Sequence, residues 1–533
     1  MKNLLFVIIF CSFFSFFRLG SVTLFDVDEA VFAEAAKEMV HSGDYITPTY
    51  NGENRYDKPI LFYWLMAVSY KVFGINEFAA RFPSAVEGLI LAVSIFLFIR
   101  HFFTEKMALY ASLSFILSLF YFTYSHAAVT DMTLALFITL SVFSFYLSIT
   151  RDNRSPKRIN RYMYGFYLFS ALAFLTKGLI GILFPFGIAV IYLLVTEGPG
   201  GVKKVFSLKG ALLFLLVSAP WYAAESVING REFFEQFIIK HHFKRFTGVI
   251  SGHRGPVYYF VPVLIAGLFP WIAYLPAGIR NVFAGRRRGS ESADGGSIVV
   301  NNNSLLMLSF IWFAFIFLFF SFSSTKLPNY ILPAAPAAAI LISSGITEGD
   351  WRWAGFANGF IAFVSLVAGA GFILAGRYMM KTGFSDVNWV YIAAAVLFII
   401  AVAGLYSVWS KKITFRFMSA MMTAFLMLAL IKALPAANNY LQGTLHEYSL
   451  YAGKVLHDDE KIVAYRINNP SVVFYSGHEV ENVPGRDELL NIVSSHPGRL
   501  IAISKTKDIE ILEGAGFHVL EKKDGSYAIL ERK

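Results

Sequence analysis

Three carboxylates crowd the start of the stretch FDVDEAVFAEAAKEM, at Asp26, Asp28 and Glu29, just past the first strongly apolar run of the chain. A carboxylate at such a boundary can take a proton from an attacking hydroxyl, or steady positive charge developing at a reacting carbon. Asp26 and Glu29 also have the spacing of a helix N-cap and its box partner, and acids at a helix start are favoured by the helix dipole. Capping accounts for one or two of these acids and does not need all three.

Five further stretches bring charge to the ends of apolar runs. In NRYDKPILFYWL, Pro59 suits the first turn of a helix, so Asp57 and Lys58 stand just ahead of it. Lys58 either snorkels toward lipid headgroups or joins backbone N–H groups in holding a phosphate at the helix start. In SHAAVTDMTLALF, Asp131 stands at the mouth of two apolar runs, where Thr130 or Asp131 could equally cap the next helix. In LAFLTKGLIGILFPF, Lys177 lies between two apolar runs with almost no loop. A charge there is costly unless it faces a protein interior or a water-filled cavity, and a direct Asp131–Lys177 pair would set the lysine beside a phosphate. EFFEQFIIKHHFKRFTG gathers His241, His242, Lys244 and Arg245, a basic cluster suited to anionic headgroups. His242 there is a weak candidate metal ligand. FSSTKLPNYILPAAPA puts Lys326 at another helix entrance, beside Pro328, Asn329 and Tyr330.

The elements that must position these residues are membrane helices. Of 533 residues, 56% are hydrophobic and only 15% charged, against roughly 25% charged in soluble domains. About thirteen apolar runs have the length of a span. They lie near 4–17, 84–100, 107–124, 132–149, 162–176, 178–196, 209–224, 257–276, 304–322, 330–345, 354–376, 389–409 and 417–434. The expected class is a polytopic α-helical membrane protein. Basic residues collect in alternate loops, around Arg151–Arg161, Lys203–Lys209, Arg280–Arg288 and Lys411–Arg416, and mark those loops as cytoplasmic. The net charge of +10 is then a topology signal and no mark of nucleic acid. No small-x-small cleavage site precedes Arg18, so the first run is expected as an uncleaved span with the N-terminus inside and the C-terminus outside. The single cysteine, Cys11, excludes an intrachain disulfide.

Two large segments fall on the outer side. Residues 18–83 form a first outer loop rich in aromatics and amphipathic helical patterns, within a membrane domain expected over 1–435. Residues 436–533 change abruptly to soluble composition and read as a small α/β domain. KIVAYR and RLIAISK have strand patterns, RDELLNIVSSH a helical one, and FHVLEKKDGSYAILERK reads as a hairpin turning at Asp524-Gly525. With this topology every charged stretch named above opens on the outer face. Lysines and an arginine beside carboxylates describe a site for an anionic group at the lipid–water boundary, with a lipid phosphate held there while a carboxylate acts as base. Two other classes compete. A transporter or flippase predicts charges at mid-depth and on both faces, and a scaffold predicts that the carboxylates are dispensable.

The motifs, in this order along the chain, resemble the membrane glycosyltransferases of the ArnT and protein O-mannosyltransferase superfamily, whose fold is the C-type glycosyltransferase (GT-C) fold. The resemblance covers residues 20–345 in motif and the rest in layout. It implies transfer of a sugar from undecaprenyl phosphate, or a similar polyprenyl phosphate, to an acceptor in the periplasm of a bacterium whose inner membrane holds the protein. A glycolipid like lipid A is the favoured acceptor and a protein the alternative. Asp28, with Glu29 and Asp131, matches the catalytic carboxylates. Lys58, Lys177, Arg245 and, as a substitute contact, Lys326 match binders of the donor phosphate. Asp57 and His242 match a divalent-metal pair, with no cofactor required. Two departures stand out: Val31 replaces an arginine that follows the acidic pair in ArnT, so that one phosphate contact is either missing or supplied by Arg55, Arg18 or Lys326, and Asp57 replaces a longer glutamate.

Overall fold

The computed structural model describes residues 1–150, 156–237, 255–289, 302–382, 386–410, 415–457, 460–496, 498–523 and 526–533. An apolar first helix, α1 (Lys2–Phe16), leads to the segment carrying the three acids and then to α2 (Asp28–Ser42). A two-stranded hairpin, β1 (Thr49–Tyr50) with β2 (Glu53–Asn54), precedes α3 (Leu61–Phe73). Pro59, expected in the first turn of this helix, lies two residues before α3, with Ile60 as the cap position. Next come α4 (Glu77–Phe102), the bent pair α5 (Glu105–Ile116) and α6 (Leu119–Ser125), α7 (Asp131–Thr150) and α8 (Pro156–Lys177). Asn76 caps α4 through a 2.9 Å bond from the Ala79 N–H, and Thr104 and Ser118 cap α5 and α6.

The chain is a multi-pass membrane protein. Among the described residues nine helices are long and apolar enough to cross a bilayer, or up to eleven if each of two bent pairs is one span. The other two runs expected as spans fall on α1, which is shorter, and on α8. Side chains of the bundle meet in one large apolar core, with α4 against α1, α5 and α7, and α7 along α8. A separate core forms beneath the first loop, where Ala30, Ala33 and Ala36 of α2 admit Phe62, Tyr63 and Met66 of α3 at close range.

The last apolar run continues without a break from Phe415 to Val455, so the division expected after residue 435 falls inside a helix. Beyond it a five-stranded sheet is built from β3 (Lys461–Tyr465), β4 (Val480–Val483), β5 (Leu500–Lys505), β6 (His518–Lys522) and β7 (Tyr527–Arg532). Its order is β4-β3-β5-β7-β6, with β3 parallel to β4 and β5, and β7 antiparallel to β5 and β6. Alternation along the strands sorts the two faces. Ile462, Ala464, Ile501 and Ile503 face Leu445, Tyr448 and Ala452 of the preceding helix, while Val463, Tyr465 and Ala502 face Leu489, Leu512 and Phe517. The helix read in RDELLNIVSSH spans Arg486–Ser495. The turn expected at Asp524-Gly525 lies outside the described residues.

Candidate functional site

The segment between α1 and α2 is held by a buried arginine. Arg81, in the second turn of α4, is 1% exposed and grips Glu29 with two 2.9 Å bonds, from Nε to Oε1 and from Nη2 to Oε2. Its remaining N–H groups donate to the carbonyls of Leu19, Val22 and Thr23 at 3.2, 2.8 and 2.8 Å. Glu29 also accepts the Phe25 N–H at 2.9 Å and the Ala128 N–H at 2.7 Å. Burial alone would push the Glu29 carboxyl up, but the Arg81 guanidinium and these bonds hold it below the usual carboxylate value. Glu29 thus uses its oxygens to join the acidic segment to α4 and to the turn before α7.

Asp26 is taken up differently. Its oxygens accept from the Ser471 N–H at 2.8 Å, the Ser471 hydroxyl at 2.6 Å and the Asn469 amide at 2.9 Å, all in the C-terminal domain. Of the three acids, Asp28 is the one left open. Its carboxylate is exposed and takes no hydrogen bond or ion pair among the described residues.

Asp131 opens α7, three residues beyond the Ala128 that holds Glu29. It is buried and pairs with Lys177, the last residue of α8, at 2.6 Å, and its second oxygen accepts from Asn329 at 3.1 Å. The Lys177 ammonium stands 5.7 Å from the centre of the Tyr330 ring. The Tyr124 hydroxyl sits within the electrostatic reach of both Asp28 and Asp131. The Asp131–Lys177 pair is therefore a buried ion pair with a third partner, and removing one member strands the other charge. Lys177→Met is expected to cost about 3–5 kcal/mol, and Asp131→Asn added to it should recover part of that loss. Thermal melts of both single variants and the double variant measure the coupling.

Lys58 lies in the loop before α3, its ammonium 3.2 Å from the Asp57 carbonyl. Asp57 is bound by Arg55 at 2.7 Å, and Arg55 also donates to the Tyr63 hydroxyl at 3.2 Å. The Arg55 guanidinium stands 5.8 Å from the centre of the Phe32 ring, one turn beyond Asp28 on α2, which brings this loop to the acidic segment. A pocket of about 320 Å³ opens here, lined by Tyr50, Glu53, Asn54, Arg55, Tyr56, Asp57, Glu232 and Gln236.

Lys326 is buried and donates to the carbonyls of Phe320, Ser321 and Ser323 at 3.2, 2.7 and 2.9 Å, closing the C-terminus of the helix Asn302–Phe322. Arg18 donates to the Ile431 carbonyl at 3.2 Å. His242 and Arg245 lie outside the described residues. Among the described residues no three His, Cys, Asp or Glu side chains gather, and Asp57 is paired with Arg55; His242, the other residue of the expected metal pair, lies outside the described residues.

Sequence reasoning missed Arg81, Tyr124 and Glu87. Glu87 is buried in α4 and accepts from Thr133 at 2.7 Å. The available signal was an arginine and a glutamate inside a helix continuous with an apolar run, each of which needs a partner when buried.

A family model described as Dolichyl-phosphate-mannose-protein mannosyltransferase matches residues 57–223. An uncharacterised protein of Aquifex aeolicus is 32% identical over 68% of this chain and 78% of its own length. The undecaprenyl phosphate-alpha-4-amino-4-deoxy-L-arabinose arabinosyl transferase of Shewanella sediminis is 30% identical over 67% of this chain and 62% of its own. The chain thus spans a little under two thirds of that transferase. The crystal structure of ArnT from Cupriavidus metallidurans bound to undecaprenyl phosphate superposes with a TM-score of 0.80 at 23% identity, over 99% of this chain and 97% of that one. The chain has the GT-C fold of that ArnT.

Proposed function

We propose that the protein transfers a sugar from a polyprenyl phosphate, such as undecaprenyl phosphate, to an acceptor on the periplasmic face of a bacterial inner membrane, with the N-terminus cytoplasmic. The observation that carries this reading is the convergence of residues far apart in the chain. Asp28, the Asp131–Lys177 pair and the Lys58 loop are joined through Glu29, Ala128 and Phe32. In this reading Lys58 and Lys177, with Arg245, neutralise the charge that grows on the departing lipid phosphate. The acceptor oxygen attacks the anomeric carbon from the opposite side, the bond to the phosphate oxygen breaks, and the configuration inverts. Asp28 takes the acceptor's proton or, for an acceptor that is already anionic, steadies the positive charge at the sugar.

A glycolipid acceptor of the lipid A type is favoured. The pocket beside the Lys58 loop carries Glu53 and Glu232, which suits a donor sugar bearing an amine, the kind of sugar for which the similar arabinosyl transferases are named. A protein acceptor is the second reading, favoured by the mannosyltransferase description of the matching family model.

The test incubates purified protein with a panel of undecaprenyl-phosphate sugars, with lipid A or an unfolded polypeptide as acceptor. Release of undecaprenyl phosphate by the wild type and its loss in Asp28→Asn and Lys58→Ala support the reading. Equal release by all three removes it. Labelling of the polypeptide and not of lipid A selects the second acceptor.

A further inference from the structure

Asp28 is held only through its backbone, because its own carboxylate has no partner among the described residues. What fixes it is therefore what fixes the residues on either side. On one side Arg81 and the Ala128 N–H clamp Glu29. On the other, Leu24 and Asp26 are tethered by the helix Pro470–Ser476 and the residue before it. The Leu24 N–H donates to the Tyr475 hydroxyl at 2.8 Å, and that hydroxyl donates to Glu77 at the start of α4 at 2.9 Å. Asp26 takes three bonds from Ser471 and Asn469. The same helix is anchored from α2, where Lys37 donates to the Phe474 carbonyl at 3.0 Å.

We propose that the C-terminal domain is a positioning element for the transfer reaction, acting through Ser471 and Tyr475, which set the direction from which Asp28 meets the acceptor. This rests on Asp28 being the reacting carboxylate. The domain touches Asp26, two residues before Asp28, and not Asp28 itself. A carboxylate with no bonds of its own keeps its aim only while its backbone is fixed, and misplacement by about 1 Å costs about a hundredfold in rate. The tethers also explain why a sheet domain with its own two-faced core is docked against the acidic segment through polar bonds. Ser471 and Tyr475 are positioning residues, since neither touches the reacting atoms.

The experiment uses the full chain in detergent and two readouts. Hydrogen exchange of residues 24–31 reports the aim of the segment independently of any donor. Turnover of undecaprenyl phosphate-linked 4-amino-4-deoxy-arabinose, with undecaprenyl phosphate binding alongside, reports its consequence. Ser471→Ala combined with Asn469→Ala should speed exchange at least about tenfold and lower kcat about 10- to 100-fold, with KM for the donor within about threefold. Ser471→Thr, which keeps the hydroxyl, should restore both. Tyr475→Phe removes the Leu24 tether and its link to Glu77, leaves the Asp26 bonds in place, and should move both readouts in the same direction, so the proposal stays testable if the double variant does not fold. Unchanged exchange, or unchanged kcat with Asp28→Asn inactive, overturns the positioning role. Equal turnover by wild type and Asp28→Asn overturns the catalytic reading instead, and with it the positioning role that depends on it, even where exchange shows the tether to be intact.

Discussion

Asp28→Asn should lower turnover by about two to four orders of magnitude, the range for loss of a general base, while the protein folds normally and still binds undecaprenyl phosphate. The reason is specific to this carboxylate. Asp26 and Glu29 are consumed by hydrogen bonds, so their replacement confounds structure with chemistry. Asp28 is exposed and takes no hydrogen bond or ion pair among the described residues, so its asparagine isostere removes a charge and a proton acceptor without breaking a bond. Single-turnover rates with a fixed acceptor measure the effect. Comparable rates for the two proteins would assign the proton transfer elsewhere.

Arg81→Ala should be the most destabilising single change at the site, costing about 3–5 kcal/mol, because it strands the buried Glu29 carboxylate. It also leaves the carbonyls of Leu19, Val22 and Thr23 without their donor. Arg81→Lys should recover only part of this, since an ammonium cannot reproduce the two parallel bonds to Glu29. The pH dependence has a defined sign. The folded-state pKa of Glu29 lies below its ordinary value, so its contribution is present above the unfolded pKa and is lost as pH falls through the folded one. Thermal melts from neutral pH into acid should show a steeper decline for wild type than for Glu29→Gln. Parallel acid limbs would contradict the assignment.

The helices were legible because their signal is local. An apolar run of span length reports itself wherever it packs, and each of the thirteen runs falls on helical structure. Lys177 was legible as a charge in need of a partner, and Asp131 was the acid nearest the same membrane end; the structure joins them at 2.6 Å. Arg81 was not legible, since its partner Glu29 lies 52 residues away and an arginine early in a helix looks solvated. Asp26 was ambiguous for the same reason. It caps a helix, but the distant one that begins at Pro470, where its partner Ser471 lies 445 residues along the chain and local spacing carries no information. Lys326 has the charge of a phosphate ligand, yet its ammonium is turned onto three carbonyls at the end of the preceding helix. Side-chain direction of that kind is set by packing, which the sequence pattern does not encode.

In the proposed mechanism one hollow grips the anionic head of a lipid. Equilibrium binding of undecaprenyl phosphate to the purified full chain tests this most directly, using wild type, Lys58→Ala and Asp28→Asn. Loss of a charge-assisted contact worth about 1.5–3 kcal/mol predicts binding about 10- to 100-fold weaker for Lys58→Ala and nearly unchanged for Asp28→Asn. Equal affinity for all three proteins would contradict it.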